Sequence, residues 1–340
     1  MKRYIFMMAV AVAAICSSCS KDNDVMQSVT PPTTEAEGQE ITINFTTDAA
    51  TRAFFDSNAD AESWEKQINK ATIYLVRYHV YVAGIAEVIS KELTATDIAN
   101  GSVTMLLEAA NLNNFISVSI VANLDAPDDA SVFNIYSSVI ATLDKTYYNG
   151  TFEEVSTSAK HSDGFPMYGT GSTLVSDINN IGVSIEMKRD VSKIAIETSL
   201  SDNFNNSNMY AGDLRIDEIT VRTADKVNSD FEDCDTHTQA SNKSGDKYQN
   251  LFYMQASYSN HFLVNATYDA DGDFSTTSDQ KQVTYEFSID NEDGTNKSLL
   301  ANCYYRISVI VNTLDIGIVD ISVSTSDWLS LDDQSIEIMQ

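Results

Sequence analysis

Apolar and polar residues alternate with a period of two in segment after segment of this chain, and that pattern limits the fold more than any other feature. Ile41, Ile43 and Phe45 alternate in EITINFT, and Tyr74, Val76, Tyr78, Val80 and Val82 in ATIYLVRYHVYVAG. Ile116, Val118, Ile120 and Ala122 do so in FISVSIVAN, and Val183, Ile185 and Met187 in GVSIEMK. Val283, Tyr285, Phe287 and Ile289 continue the pattern, followed by Tyr305, Ile307, Val309 and Val311. Successive side chains of a strand point to opposite faces, so each run predicts a half-buried strand. In LRIDEITV the alternation slips between Ile216 and Ile219, which predicts a β-bulge at Asp217-Glu218. Helical periodicity is weak, with its best candidate at Leu174 to Ile178. Asn291-Glu292-Asp293-Gly294 reads as a turn. The expected fold is all-β. With 340 residues, the economical arrangement is two tandem β-sandwiches of transthyretin-like or Greek-key type. No fixed-period repeat is evident, and the joint is placed in Thr170 to Asn180. The sandwiches are expected at residues 53–178 and 179–340.

The N-terminus reads as an export signal over residues 1–18. Lys2 and Arg3 precede an apolar run, Tyr4 to Ile15, that is too short for the roughly 20 residues a membrane-spanning helix needs. Cys16-Ser17-Ser18-Cys19 resembles a bacterial lipobox, with Cys19 as the lipidated residue; ordinary secretory cleavage near Ser18 is the alternative. The net charge of −28 argues against nucleic acid, whose phosphates need a basic footprint, and against electrostatic attachment to anionic lipid. Apart from Cys16 and Cys19, only Cys234 and Cys303 remain. They either pair in an oxidising compartment or leave Cys303 as a buried thiol.

No HExxH, CxxC, GxSxG or P-loop occurs, and the many carboxylates single out no glycosidase pair. His79 reads as a solvated strand residue beside Arg77 and Tyr81. An enzyme is not expected, nor a cofactor. Asp269, Asp271 and Asp273 in YDADGDFSTTSDQ have the spacing of a calcium loop, but Phe274 and Gln280 stand where glycine and glutamate belong. Calcium and a plain polar loop both stay open there.

One arginine stands apart. Arg52 is the only basic residue between Lys21 and Lys66, just after the alternating run Ile41, Ile43 and Phe45. Several runs, in order along nearly the whole chain, resemble the fimbrillins of Bacteroidota, the FimA/Mfa-like fimbrial subunits. They are the lipobox at Cys19, EITINFTTDAATR, VSIVANL with Ala122 and Asn123, FPMYG, IEMKRDVSKIAIE with Arg189 and Lys193, NCYYRISVIVN and VDISVSTSDW. LFYMQASYS departs from the pattern. The resemblance implies a lipoprotein precursor whose propeptide, residues 19–52, is removed by a trypsin-like, arginine-specific protease cutting between Arg52 and Ala53. The departing strand carries Ile41, Ile43 and Phe45 and leaves an apolar groove with unpaired edges. A donor strand from a second copy fills that groove by β-strand addition. Candidate donor residues are Val319, Ile321 and Val323 in IVDISVS, and Ile336 and Ile338 in SIEIM. IVDISVS reads equally well as one more strand of its own sheet.

Two functions follow. One is a polymerising fimbrial subunit, partnered by itself, other fimbrial subunits and the protease, and held at the outer membrane by lipid as a precursor. The other is a non-polymerising surface lipoprotein: a fimbrial tip, an anchor or a glycan-binding adhesin.

Overall fold

The structure is a computed structural model. It describes residues 39–46, 62–78, 85–107, 115–125, 150–175, 181–205, 209–224, 235–290, 297–315, 319–327 and 334–336. All of them lie in one compact unit, Gly38–Gln340. The fold is all-β, and its strands form two face-to-face sheet pairs.

The first pair begins with β1 (Gln39–Thr46), β2 (Ala71–Tyr78), β3 (Ile85–Glu92), β4 (Ser102–Leu107) and β5 (Phe115–Ala122). It is completed by β6 (Met167–Leu174), β7 (Ile181–Glu186) and the two-residue β8 (Lys188–Arg189). One sheet has the order β4-β1-β7 and the other β3-β2-β5-β6-β8. Their facing sides share one core, in which Ile41, Ile43, Val103, Met105, Val183 and Ile185 meet Ile73, Leu75, Ile116, Val118 and Ile120. For β2 the alternation points to the face of Tyr74 and Val76, yet Ala71, Ile73 and Leu75 face this core. The reason is that β2 is buried on both sides. Tyr74 packs with Val121 beneath Leu124 and Tyr168 on the opposite face, so the face cannot be read from apolarity alone. His79, Val80, Tyr81 and Val82 lie outside the described residues.

The second pair comprises β9 (Val191–Leu200), β10 (Asp213–Ala224), β11 (Asp235–Ala240), β12 (Asn242–Ser244) and β13 (Lys247–Gln255). β14 (Ser259–Asp269), β15 (Gln280–Phe287), β16 (Cys303–Val311), β17 (Val319–Asp327) and β18 (Gln334–Ile336) follow. The sheets run β11-β10-β14-β15 and β12-β13-β9-β16-β17-β18. Their core holds the expected alternating residues Val283, Tyr285, Phe287, Ile307, Val309 and Val311. The slip in LRIDEITV is a break in the β10–β14 register between Ile216 and Glu218, as a bulge requires.

Sheet membership changes at Asp190, beyond the expected joint at 178/179. β7 pairs with β1 and β8 with β6, whereas β9 opens the second pair. β7 is drawn back to the first sandwich by a partner far away in sequence, which local patterning does not reveal. Leu174, the start of the expected helical stretch, ends strand β6, and residues 176–180 lie outside the described residues.

A third packed layer joins the two halves. Trp64, from the 3-10 turn Ser63–Lys66, and Phe152, Val155 and Phe165 cover the outer face of the six-stranded sheet at Val191, Ala195, Leu251, Tyr253 and Tyr304. That cover explains why β9 is buried on both faces.

Candidate assembly site

β1 is the middle strand of its sheet. It pairs antiparallel with β4, from Gln39↔Leu107 to Asn44↔Ser102, and parallel with β7, from Ile41↔Ile181 to Thr46↔Glu186. In the sheet it lies between β4 and β7. Ile41 and Ile43 are 0% exposed and Phe45 is 3% exposed. Burying three such side chains is worth roughly 5–9 kcal/mol. The exit of the strand is pinned on both sides. The Phe45 N–H donates to the Gly101 carbonyl at 2.8 Å, and the Met187 N–H donates to the Thr46 carbonyl at 3.2 Å. Gly101 has a φ of +60° and ends the helix Ala95–Asn100; a Cβ there would lie 2.8 Å from the Phe45 carbonyl oxygen. A left-handed residue in close backbone contact calls for glycine.

Gly169 and Gly171 of β6 bring the second sheet hard against β7. A Cβ at Gly169 would lie 2.5 Å from Ile185 Cγ2 and 2.7 Å from the Glu186 carbonyl oxygen; at Gly171 it would lie 2.7 Å from Val183 Cγ1. Without β1, the wall of the core formed by β4 and β7 would keep these apolar faces but lose its centre. The result would be a groove with two unpaired strand edges.

The candidate donors are placed as follows. β17 pairs antiparallel with β16 from Val311↔Val319 to Cys303↔Asp327, in the chain's own sheet. Val323 is buried in the second core, and Val319 and Ile321 pack against it. These three residues therefore occupy the role of an ordinary strand of their own sandwich. β18 pairs with β17 at the sheet edge, with Ile336 opposite Val323. Cys19, Arg52, Ala53, Cys234 and Ile338 lie outside the described residues, as does the turn at Asn291 to Gly294. Cys303 is buried in β16.

The motif residues Asn123, Phe165, Arg189 and Lys193 gather at the joining layer instead of at the groove. Asn123, with a φ of +60°, donates from Nδ2 to the carbonyls of Gln67 and Phe165 at 2.7 Å each and accepts the Asn69 N–H at 2.8 Å. Lys193 Nζ lies 2.9 Å from Glu65 Oε1, and both side chains are fully buried. The Tyr253 hydroxyl donates to the same oxygen at 2.5 Å. Arg189 donates from Nε to the Glu65 carbonyl at 2.6 Å and from Nη1 to Asn302 Oδ1 at 3.2 Å. Burial brings the Arg189 guanidinium down to about 10 and raises the Tyr253 phenol well above its usual value. Both therefore keep their neutral-pH protonation states. The ring of His161 stacks on Trp64 at 4.7 Å and donates from Nε2 to the Val155 carbonyl at 3.0 Å. Burial lowers His161 to about 4, against a hydrogen bond and the Glu65 charge that favour its protonation. Sequence reading passed over Glu65 and His161, because nothing in SWEK or AKHSD distinguishes a buried charge or ring from an exposed one.

Fold and site together describe an all-β chain whose first described strand is embedded in the core and followed, after an acidic and polar stretch, by one arginine. No family model matches the chain, and no curated protein matches it in sequence. Solved structures that it is similar to are fimbrial and cell-adhesion proteins. A protein assigned to cell adhesion in Bacteroides eggerthii aligns with 86% of this chain and 97% of its own, at 13% identity and a TM-score of 0.49. A fimbrilin, FimA, of Porphyromonas gingivalis aligns over 87% and 99%, at 11% identity and 0.44. The tip fimbrial protein Mfa3 of the same organism aligns over 85% and 99%, at 12% and 0.42.

Proposed function

We propose that the chain is the precursor of a structural subunit of a cell-surface fimbria. It is exported as a lipoprotein lipidated at Cys19 and held at the outer membrane. An arginine-specific protease cuts between Arg52 and Ala53. Residues 19–52 leave with the lipid and take β1 with them. A strand from a second copy then fills the groove between β4 and β7. Such a contact runs head to tail and does not close, so it builds a filament.

The observation that carries this reading is the position of β1, a central, fully packed strand on the removable side of the lone arginine. The donor falls to the segment around Ile336 and Ile338. Val319, Ile321 and Val323 are engaged in their own sheet and would have to break its pairing with β16. Arg52→Ala is expected to leave a folded, lipid-anchored monomer, because β1 stays in place. Electron microscopy of protease-treated protein, with N-terminal sequencing of any filaments, decides the matter. Filaments from Arg52→Ala equal to wild type, or a mature terminus upstream of Ala53, would overturn the proposal.

A second reading is a non-polymerising tip, anchor or adhesin. In its favour, β17 and β18 are both taken up by the chain's own sheet. It predicts that protein cleaved after Arg52 stays monomeric at every concentration.

A further inference from the structure

We propose that Asp269, Asp271 and Asp279 form a calcium-binding site at the end of the β14–β15 hairpin. Asp269 closes β14, and its register partner Gln280 opens β15. The ten residues from Ala270 to Asp279 fold back between them. This return carries Asp279 to Asp269, and a carboxylate oxygen from each of Asp269, Asp271 and Asp279 lies within 4.8 Å of the others. Asp269 is 0% exposed, and apart from the neighbouring Asp271 carboxyl no described group hydrogen-bonds either of its carboxylate oxygens. No lysine or arginine among the described residues forms an ion pair with any of the three. The nearby Arg215 is engaged with Asp217 at 2.7 Å and stacks over Phe274 at 4.6 Å.

A buried carboxylate beside two more is offset either by a cation or by a proton held between the carboxyls, and three oxygens gathered this closely suit a cation. The donors are hard oxygens. Two oxygens bound to one calcium ion at about 2.3–2.6 Å can be separated by up to roughly 5 Å, so this cluster fits the span of one ion. Magnesium demands a tighter octahedron and retains most of its water. The backbone is tightly packed around these carboxylates. Gly272 has a φ of +79° and lies beside the carboxylate of Asp213, the partner of Asp269 across β10. At Gly212 a Cβ would fall 1.9 Å from the Asp269 carbonyl oxygen, so glycine lets the two strands close over the site.

The site is not the calcium loop that the spacing of Asp269, Asp271 and Asp273 suggests. Asp273 turns to its own backbone, accepting the Ser275 N–H at 3.0 Å, and Asp271 Oδ1 accepts the Asp273 N–H at 2.8 Å. Asp279 takes the place of Asp273. The ion would tie the end of β14 to the start of β15 and hold the hairpin shut outside the cell.

The test is calorimetric titration of CaCl2 into the full chain freed of metal with EDTA, together with thermal unfolding. A single ion per chain is expected, with a Kd of about 10⁻⁴–10⁻³ M, the range of extracellular modules. At saturation Tm should rise by about 2–4 °C, and magnesium at the same concentration should do much less. Asp279→Asn, at an exposed position, should weaken binding at least tenfold. Asp273→Asn should leave it unchanged, and Asp269→Asn should abolish it. Three results would overturn the site: no heat and no Tm shift with calcium; a shift that survives Asp279→Asn; or a chain that stabilises on acidification and ignores calcium, which would mean that Asp269 and Asp271 share a proton.

Discussion

His161 shows how one buried ring makes a whole chain sensitive to acid. Its folded value of about 4 lies below the unfolded 6.5, so between these values the unfolded chain binds the extra proton. Stability from this group is therefore complete above pH 6.5 and lost as pH falls toward 4, by about 3 kcal/mol. His161→Phe keeps the stacking but cannot be protonated. Urea unfolding at a series of pH values should show a shallower acid decline for the variant, whatever its stability at neutral pH. Equal slopes would mean that the ring does not titrate in this window. Glu65 governs its neighbours in a different way. Glu65→Gln removes the negative charge 2.9 Å from Lys193, and breaking a buried pair from one side costs about 3–5 kcal/mol. Adding Lys193→Met removes the stranded charge, so the double variant should recover part of that loss in the same unfolding assay.

At the scale of elements, the fit of β6 against β7 rests on the absence of side chains. Gly169→Ala pushes a methyl group into Ile185 and the Glu186 backbone. Overpacking of this kind costs about 1–3 kcal/mol, readable as a lower urea midpoint at unchanged slope. Gly182→Ala is the control: among the described residues the same change in β7 meets just the Thr42 carbonyl oxygen, at 3.8 Å, and should stay within about 0.5 kcal/mol of wild type. β1 is a central strand, yet its covalent link to the rest of the sandwich passes through the stretch of sequence that holds Arg52. Under the proposed maturation, β1, held by two neighbours and three side chains, would be exchanged for another strand with the same spacing. A strand held by the turns of a hairpin cannot leave so simply.

For the whole molecule, the joining layer holds the two sandwiches together and the C-terminal strand forms the edge of the larger sheet. The Glu65, Lys193, Arg189 and Tyr253 cluster fastens the segment before β2 to the six-stranded sheet, so the two sandwiches meet through a buried, hydrogen-bonded layer. At the other end, β18 adds three residues to an edge. Deleting Ser335 to Gln340 should lower Tm by no more than about 2 °C, because little backbone pairing is lost. The same deletion should abolish filament growth by the cleaved subunit, while that subunit still accepts a donor and so caps growing filaments. A truncated chain that unfolds would assign the tail to its own core. Normal filaments would move the donor to Val319 to Val323.

The faces of β1, β5, β7, β15 and β16, and the bulge in β10, were all legible in the sequence. Each follows from the two-residue repeat of an extended backbone, which acts between near neighbours and needs no knowledge of the rest of the chain. For β2 the same reasoning found one buried face, that of Tyr74 and Val76, but not that Ile73 and Leu75 face the core, because a strand covered on both faces carries no contrast to read. It also could not say that β7 would return to β1, that β17 would be kept by β16, or that Asp279 would replace Asp273 beside Asp269. Nor does anything local mark Lys193 and Glu65 as buried. Those outcomes depend on which distant segment covers a given face, and only the tertiary structure supplies that partner.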